Sequence, residues 1–219
     1  MRILSRFLSL LLIALLAIAG TSALADEASE AAEIAESIYA QAAEHEEAVT
    51  ALLHSLETDA ATLIALEHRQ KSQESIARKL MLNARDMEIS LQEARETIHD
   101  ALRYTFCIEY DEYTAKVDSI LKALNASGYS VEKFRNYWGK EGYQGINVNV
   151  STLDGFFFEI QFHTQDSYDA KESRTHHLYE IVRNKSFSTA AKAWADARQK
   201  EIFATVPSPE GAVEYIWPN

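Results

Sequence analysis

Glu159, Gln161 and His163 occupy alternate positions in the run Phe156 to Thr164, so on a β-strand all three side chains face one side. Asn147 and Asn149 repeat this spacing in the run before it. A carboxylate can take a proton or hold a hard cation, and amides and imidazoles orient what it acts on. Upstream, Arg69, Lys71, Arg78 and Lys79 crowd a short stretch of an otherwise acidic chain. Such a cluster could be a solvated helix face, or it could neutralise the phosphates of a nucleotide. Between these groups lies His99-Asp100-Ala101-Leu102-Arg103. An acid opening a buried strand costs desolvation unless it is paired, and Arg103 or Mg²⁺ would pair it; capping a turn is the other use of Asp100. Arg135, Lys140 and Tyr143 stand in a glycine-rich stretch just before Asn147, and His176 follows downstream. A zinc site from Glu159, His163 and His176 is set aside, because the chain has no H-E-x-x-H spacing and only one cysteine, Cys107.

The elements that must position these residues follow from periodicity. From Asp26 to about Ile98 the sequence is rich in Ala, Glu and Leu and has no Gly or Pro, which predicts two or three helices, the last over about Glu67 to Leu82. Leu63, Ile64 and Leu66 are read as part of that helical pattern. Period-two spacing predicts a strand over Ala101 to Glu109, and Thr114 to Ala126 returns to helical spacing. Ser130 to Trp138 reads as extended. Ile146 to Ser151 and Phe156 to Phe162 form a hairpin through Asp154-Gly155. Tyr168 to about Phe203 reads as one or two helices, and an irregular tail follows from Pro207. Helices before and after a mixed sheet make an α+β (α/β) domain rather than an all-α bundle.

The 219 residues, 47% hydrophobic and 25% charged, suit one globular domain with a small appendage and exclude disordered or low-complexity classes. A single cysteine excludes an intramolecular disulfide framework and a cysteine-based zinc cluster. Arg2 and Arg6 precede the apolar run Phe7 to Ala19, and Ala23-Leu24-Ala25 closes it, which reads as a signal peptide rather than a stable membrane anchor. The formal net charge is −12. Cleavage after Ala25 removes two arginines and no acid, so the mature chain is more acidic still. That balance opposes broad binding to nucleic acid or anionic lipid.

The polar segments together resemble the synthetase domain of the RelA/SpoT alarmone-synthetase family, in the family's order, over about residues 65–183. Arg69-x-Lys71-x-x-x-Ser75-Ile76-x-x-Lys79 is similar to its ATP-binding helix. Asp100-Ala101-Leu102-Arg103 resembles its Asp-bearing strand, and Gly142-Tyr143-Gln144-Gly145-Ile146-Asn147 its G-Y-x-S-x-H segment. Glu159-Ile160-Gln161-Phe162-His163-Thr164 resembles E-I-Q-I-R-T, and His176-x-x-Tyr179 resembles the closing H-x-x-Y. The chain departs from the family at Gly145, Asn147 and His163, and its K-D-Y-I-x-x-P-K segment is reduced to Arg135-Asn136-Tyr137-Trp138 and Lys140; such wording is closer to toxin-like branches.

The resemblance implies a nucleotidyltransferase-like sheet flanked by helices and transfer of the β,γ-pyrophosphate of ATP to the 3′-hydroxyl of a nucleotide. By the same likeness, Arg69, Lys71, Arg78, Lys79 and Arg103 would hold ATP. Asp100 would bind Mg²⁺, with Glu159 as second ligand or general base. Arg135, Lys140, Tyr143, Asn147, Gln161, His163 and His176 would receive the acceptor, with Tyr143 stacking on its base; the acidic charge balance points to a free purine nucleotide rather than tRNA. The expected organisation is a signal peptide (1–25), a helical N-terminal extension (26–64), the synthetase-like domain (65–205) and a tail (206–219). Export of an ATP-consuming enzyme to the periplasm or medium suggests a toxin or effector acting inside another cell, with a possible neutralising partner. A catalytically inactive nucleotide-binding module on the same fold is the alternative.

Overall fold

The structure, a computed structural model, describes residues 26–184 and 186–218; for 2–25 it gives helical backbone only, so the secretory segment read there lies outside the described residues. Among the described residues no helix is long and apolar enough to cross a membrane. The first helix, α1 (Arg2–Ser55), runs without interruption to Ser55, and from Asp26 onward it has no Gly or Pro. Its buried positions Ile34, Ile38, Ala42, Val49 and Leu53 keep helical spacing.

Two compact units are present. One contains the part of α1 up to Gln41 together with Lys71–Ile98. Within it, Ser72 caps α2 (Gln73–Met87) by accepting from the Ser75 N–H, so the helix begins later than the expected Glu67. Ile76, Leu80 and Ala84 form its buried stripe. A short α3 (Leu91–Arg95) follows, closed by a Ser90–Glu93 capping box.

The other unit contains Ala42–Gln70 and His99–Asn219 and holds the whole sheet. Five strands run in the order β1-β2-β5-β4-β3: β1 (Ala61–Ile64), β2 (Arg103–Ile108), β3 (Ser130–Asn136), β4 (Ile146–Ser151) and β5 (Phe157–His163). Only β2 and β5 are parallel; the other pairs are antiparallel. Strand β1 corrects the sequence reading: Leu63 and Ile64 pair with Phe106 and Thr105 at the sheet edge instead of continuing a helix. Four residues are too few to show a period, and pairing with β2 decides their conformation. The helical extension therefore ends before β1.

One sheet face is apolar. Tyr104, Phe106, Phe158, Ile160, Phe162 and Val148 are all buried there, with Phe106 and Phe162 stacked at 5.8 Å. Helix α4 (Tyr113–Ala126) buries Val117, Ile120, Leu121 and Leu124, and the Tyr113 hydroxyl donates to the Phe162 carbonyl at 2.8 Å. After β5 come α5 (Gln165–Asp169), a π-helical stretch at Ala170–Thr175, α6 (His176–Arg183) and α7 (Thr189–Phe203). The tail after Pro207 is irregular, as read, and it is anchored: the Asn136 side chain donates to the carbonyls of Ala212 (2.7 Å) and Tyr215 (3.0 Å), and Ala212 is buried.

Candidate active site

The second sheet face carries the polar residues, and the register sets them in rows. Arg103, Glu159, Asn149 and Lys133 lie abreast across β2, β5, β4 and β3, and Thr105, Gln161, Asn147 and Arg135 form the next row. Residues opposite one another point to the same side, so a single patch gathers groups scattered over the sequence. Glu159, Gln161, Asn149 and Thr105 are all buried.

The Glu159 carboxylate receives one amide on each oxygen. Asn147 Nδ2 donates to Oε1 at 3.2 Å and Gln161 Nε2 to Oε2 at 3.2 Å. Each amide is itself held from behind. Lys171 Nζ donates to Gln161 Oε1 at 3.0 Å, and the Tyr143 hydroxyl donates to Asn147 Oδ1 at 2.7 Å. Tyr143 also meets His163 Nε2 at 2.9 Å, and His163 Nδ1 meets Ser167 Oγ at 2.8 Å. Burial holds the His163 imidazole well below its ordinary pKa, with the charges of Lys171 and Arg103 adding to the effect, so the ring is neutral and carries one proton. The Tyr143 hydroxyl has one proton, given to Asn147, so a neutral His163 donates to it from Nε2, leaving Nδ1 as an acceptor beside Ser167 Oγ, whose hydroxyl donates to the Thr164 carbonyl at 3.1 Å. Two chains of donors, His163–Tyr143–Asn147 and Lys171–Gln161, therefore run toward the same carboxylate. Burial and the nearby Glu159 charge push the Tyr143 hydroxyl well above its ordinary pKa, which keeps it a donor.

Asp100 lies three residues ahead of Arg103, in the segment leading into β2. That segment is fixed to the same end of β5: the Glu159 N–H bonds the Leu102 carbonyl at 2.9 Å, and His99 stacks on Phe157 at 4.2 Å. Asn149 Nδ2 reaches the His99 carbonyl at 3.4 Å, while its Oδ1 is buried with no hydrogen-bond partner among the described residues. Asp100 and Glu159 are hard oxygen donors. No group of three or more His, Cys, Asp or Glu among the described residues is placed to hold a metal ion. Mg²⁺ takes oxygen ligands of that kind together with waters and substrate phosphates.

The expected acceptor residues divide by position. Asn147, Gln161 and Arg135 share the polar face. Lys140 lies 5.5 Å over the Tyr137 ring in a loop that Gln144 ties together through Gly139 N, Lys140 O and Gly142 O. The Tyr143 ring stands edge-on to Tyr137, His163 and Phe203. His176 is exposed at the start of α6. His163 needs a correction: its residue exposure is 0%, so it supports Tyr143 from behind and has no surface to offer an acceptor.

The expected ATP-binding residues fall in both units, Arg69 and Arg103 in one and Lys71, Arg78 and Lys79 in the other. Arg103 stands in register with Glu159, and its charge acts on Tyr143, His163, Tyr168, Lys171 and Glu172. Arg69 is joined through Nε to the Glu46 carboxylate and through Nη1 to the Leu66 carbonyl at 2.7 Å. Thr50 links Glu46 to the Tyr104 hydroxyl, so this ion pair gives Arg69 a structural role absent from the sequence reading. Lys71, Arg78 and Lys79 belong to the other unit, where Arg78 is exposed and donates to Ser75 Oγ at 3.3 Å.

Sequence reasoning missed Ser167 and Lys171, both brought in by the segment after β5. The capping pattern Thr164-x-x-Ser167 was a readable signal for the first. Nothing in the sequence announced the second. Gly145 and His163 also prove to be one feature. Gly145 adopts φ +151°, and a Cβ there would lie 3.0 Å from the Phe162 carbonyl and 3.1 Å from His163 Cε1. The buried imidazole fits because position 145 has no side chain.

Comparison with models of known protein families gives no match, and no curated protein matches the chain. The chain is similar to small alarmone synthetases. With the structure of small alarmone synthetase 1 from Bacillus subtilis it shares 19% identity and a TM-score of 0.49, over 76% of this chain and 87% of that one. A complex between the type VI effector Tas1 and its immunity protein gives 20% and 0.49, over 82% and 95%. A GTP pyrophosphokinase family protein from Streptococcus pneumoniae gives 16% and 0.41, over 66% and 69%.

Proposed function

We propose that this chain is an ATP-dependent nucleotide 3′-pyrophosphokinase that is exported and acts as a toxin or effector. The observation that carries the reading is the buried Glu159 carboxylate, fixed at both oxygens and flanked by Arg103, on a face whose residues follow the motif order of the sequence resemblance. In the proposed step the acceptor 3′-oxygen attacks the β-phosphorus of ATP. The bond from that phosphorus to the α,β-bridging oxygen breaks, AMP leaves, and the hydroxyl proton passes to Glu159. Such a transfer depends on position and charge neutralisation. Arg103 supplies positive charge beside the carboxylate. Asp100 and Glu159 are the residues that would hold Mg²⁺, whose chemistry is neutralisation of the pyrophosphate being moved. Tyr143, Asn147, Gln161 and Arg135 would orient a free purine nucleotide.

The test is incubation of purified chain and Mg²⁺ with ATP labelled on the γ-phosphate, offering GDP, GTP, ADP, ATP or tRNA in turn. Label on a free purine nucleotide, with one AMP released per transfer, is the expected result. Label on tRNA alone overturns the acceptor assignment. Nucleotide binding without any transfer identifies an inactive binding module instead.

A further inference from the structure

Lys171 was not among the residues read from the sequence. It enters the site because a π-helical stretch, Ala170–Thr175, interrupts the path from α5 to α6, and such stretches re-aim side chains. Its side chain is 21% exposed, passes 5.6 Å from the Tyr168 ring centroid, and ends 3.0 Å from Gln161 Oε1 and 2.7 Å from Glu172. An ammonium has three donors. Two are used here, and the third has no partner among the described residues. Arg103 acts on the same ammonium as a second positive charge. The Glu172 and Glu159 charges offset that repulsion in part, and a phosphate can accept from both cations.

We infer that Lys171 is a further phosphate-binding residue of this site, its ammonium taking a phosphate oxygen of a nucleotide bound on the Glu159 face. This inference rests on the nucleotide-transfer reading above. The competing account is a plain Lys171–Glu172 ion pair with no ligand.

The full chain, titrated calorimetrically with Mg²⁺–ATP, Mg²⁺–GDP and Mg²⁺–pyrophosphate, separates these accounts. Wild-type protein is expected to bind at least one nucleotide. Lys171→Met should weaken that arm about tenfold or more, as loss of a charge-assisted hydrogen bond requires, with an unchanged circular dichroism spectrum. Whichever arm weakens identifies donor or acceptor as the source of the phosphate. Glu172→Gln removes the competing carboxylate and should tighten the same arm. Equal affinity in wild type and Lys171→Met removes Lys171 from the site while leaving the transferase reading intact. Should Lys171→Met fail to fold, an absent gain in Glu172→Gln overturns the inference by itself. Pyrophosphate binding that depends on Lys171, without nucleotide binding, sinks the transferase reading and keeps Lys171 as an anion ligand. No binding in any arm overturns both.

Discussion

At the residue scale, Glu159 is defined by its donors. Glu159→Gln keeps the shape but sets an amide nitrogen against one of the two amide donors now facing the carboxylate, and it removes the proposed base. Transfer should fall about 10²–10⁴-fold, the range typical of a lost general base, with nucleotide binding retained; initial rates against ATP concentration check this. His163 gives a second prediction. Its folded-state pKa is well below the ordinary value, so the unfolded chain takes up a proton more readily than the folded one. The stability that a neutral His163 contributes is present above about pH 6.5 and is lost as pH falls below it. Denaturant unfolding at pH 7.0 and 5.5 should show a drop of about 1 kcal/mol per pH unit, and His163→Gln should lack that component. Equal slopes in the two proteins would refute the assignment.

At the scale of elements, the junction of β4 with its preceding loop leaves no room for a side chain at Gly145. Gly145→Ala should lower stability by about 1–3 kcal/mol, read as a lower denaturation midpoint, because the added methyl meets a carbonyl and the His163 ring while the φ of +151° stays strained. This coupling explains what the sequence could and could not show. The β4–β5 hairpin was legible because alternation and an Asp-Gly turn are local signals, and the register then placed Asn147 and Asn149 beside Gln161 and Glu159. Strand β1 was not legible, since Ala61–Ile64 become a strand only through long-range pairing with β2. Lys171 was not legible either: its place depends on a π-helical turn that no spacing rule marks. His163 was read as an acceptor-binding residue and lies fully buried, because alternation gives the face of a strand but not its depth.

At the scale of the whole molecule, the proposed export is tested through the first 25 residues. Intact-mass measurement of protein recovered from the periplasm or medium should give a chain beginning at Asp26, and a mass retaining Met1–Ala25 would favour a membrane-held form. The acidic balance that remains sets the Arg103 and Lys171 charges apart as a local exception. The sheet itself has a further consequence. Its long outer strand, β3, lies at an edge, carries Glu132, Lys133 and Arg135, and shifts register between Val131 and Lys133. A foreign strand adding there would have to strip water from those charges and match an irregular backbone, so this edge is a poor template for fibre growth. In the exported role proposed above, a border that resists polymerising would keep the chain deliverable.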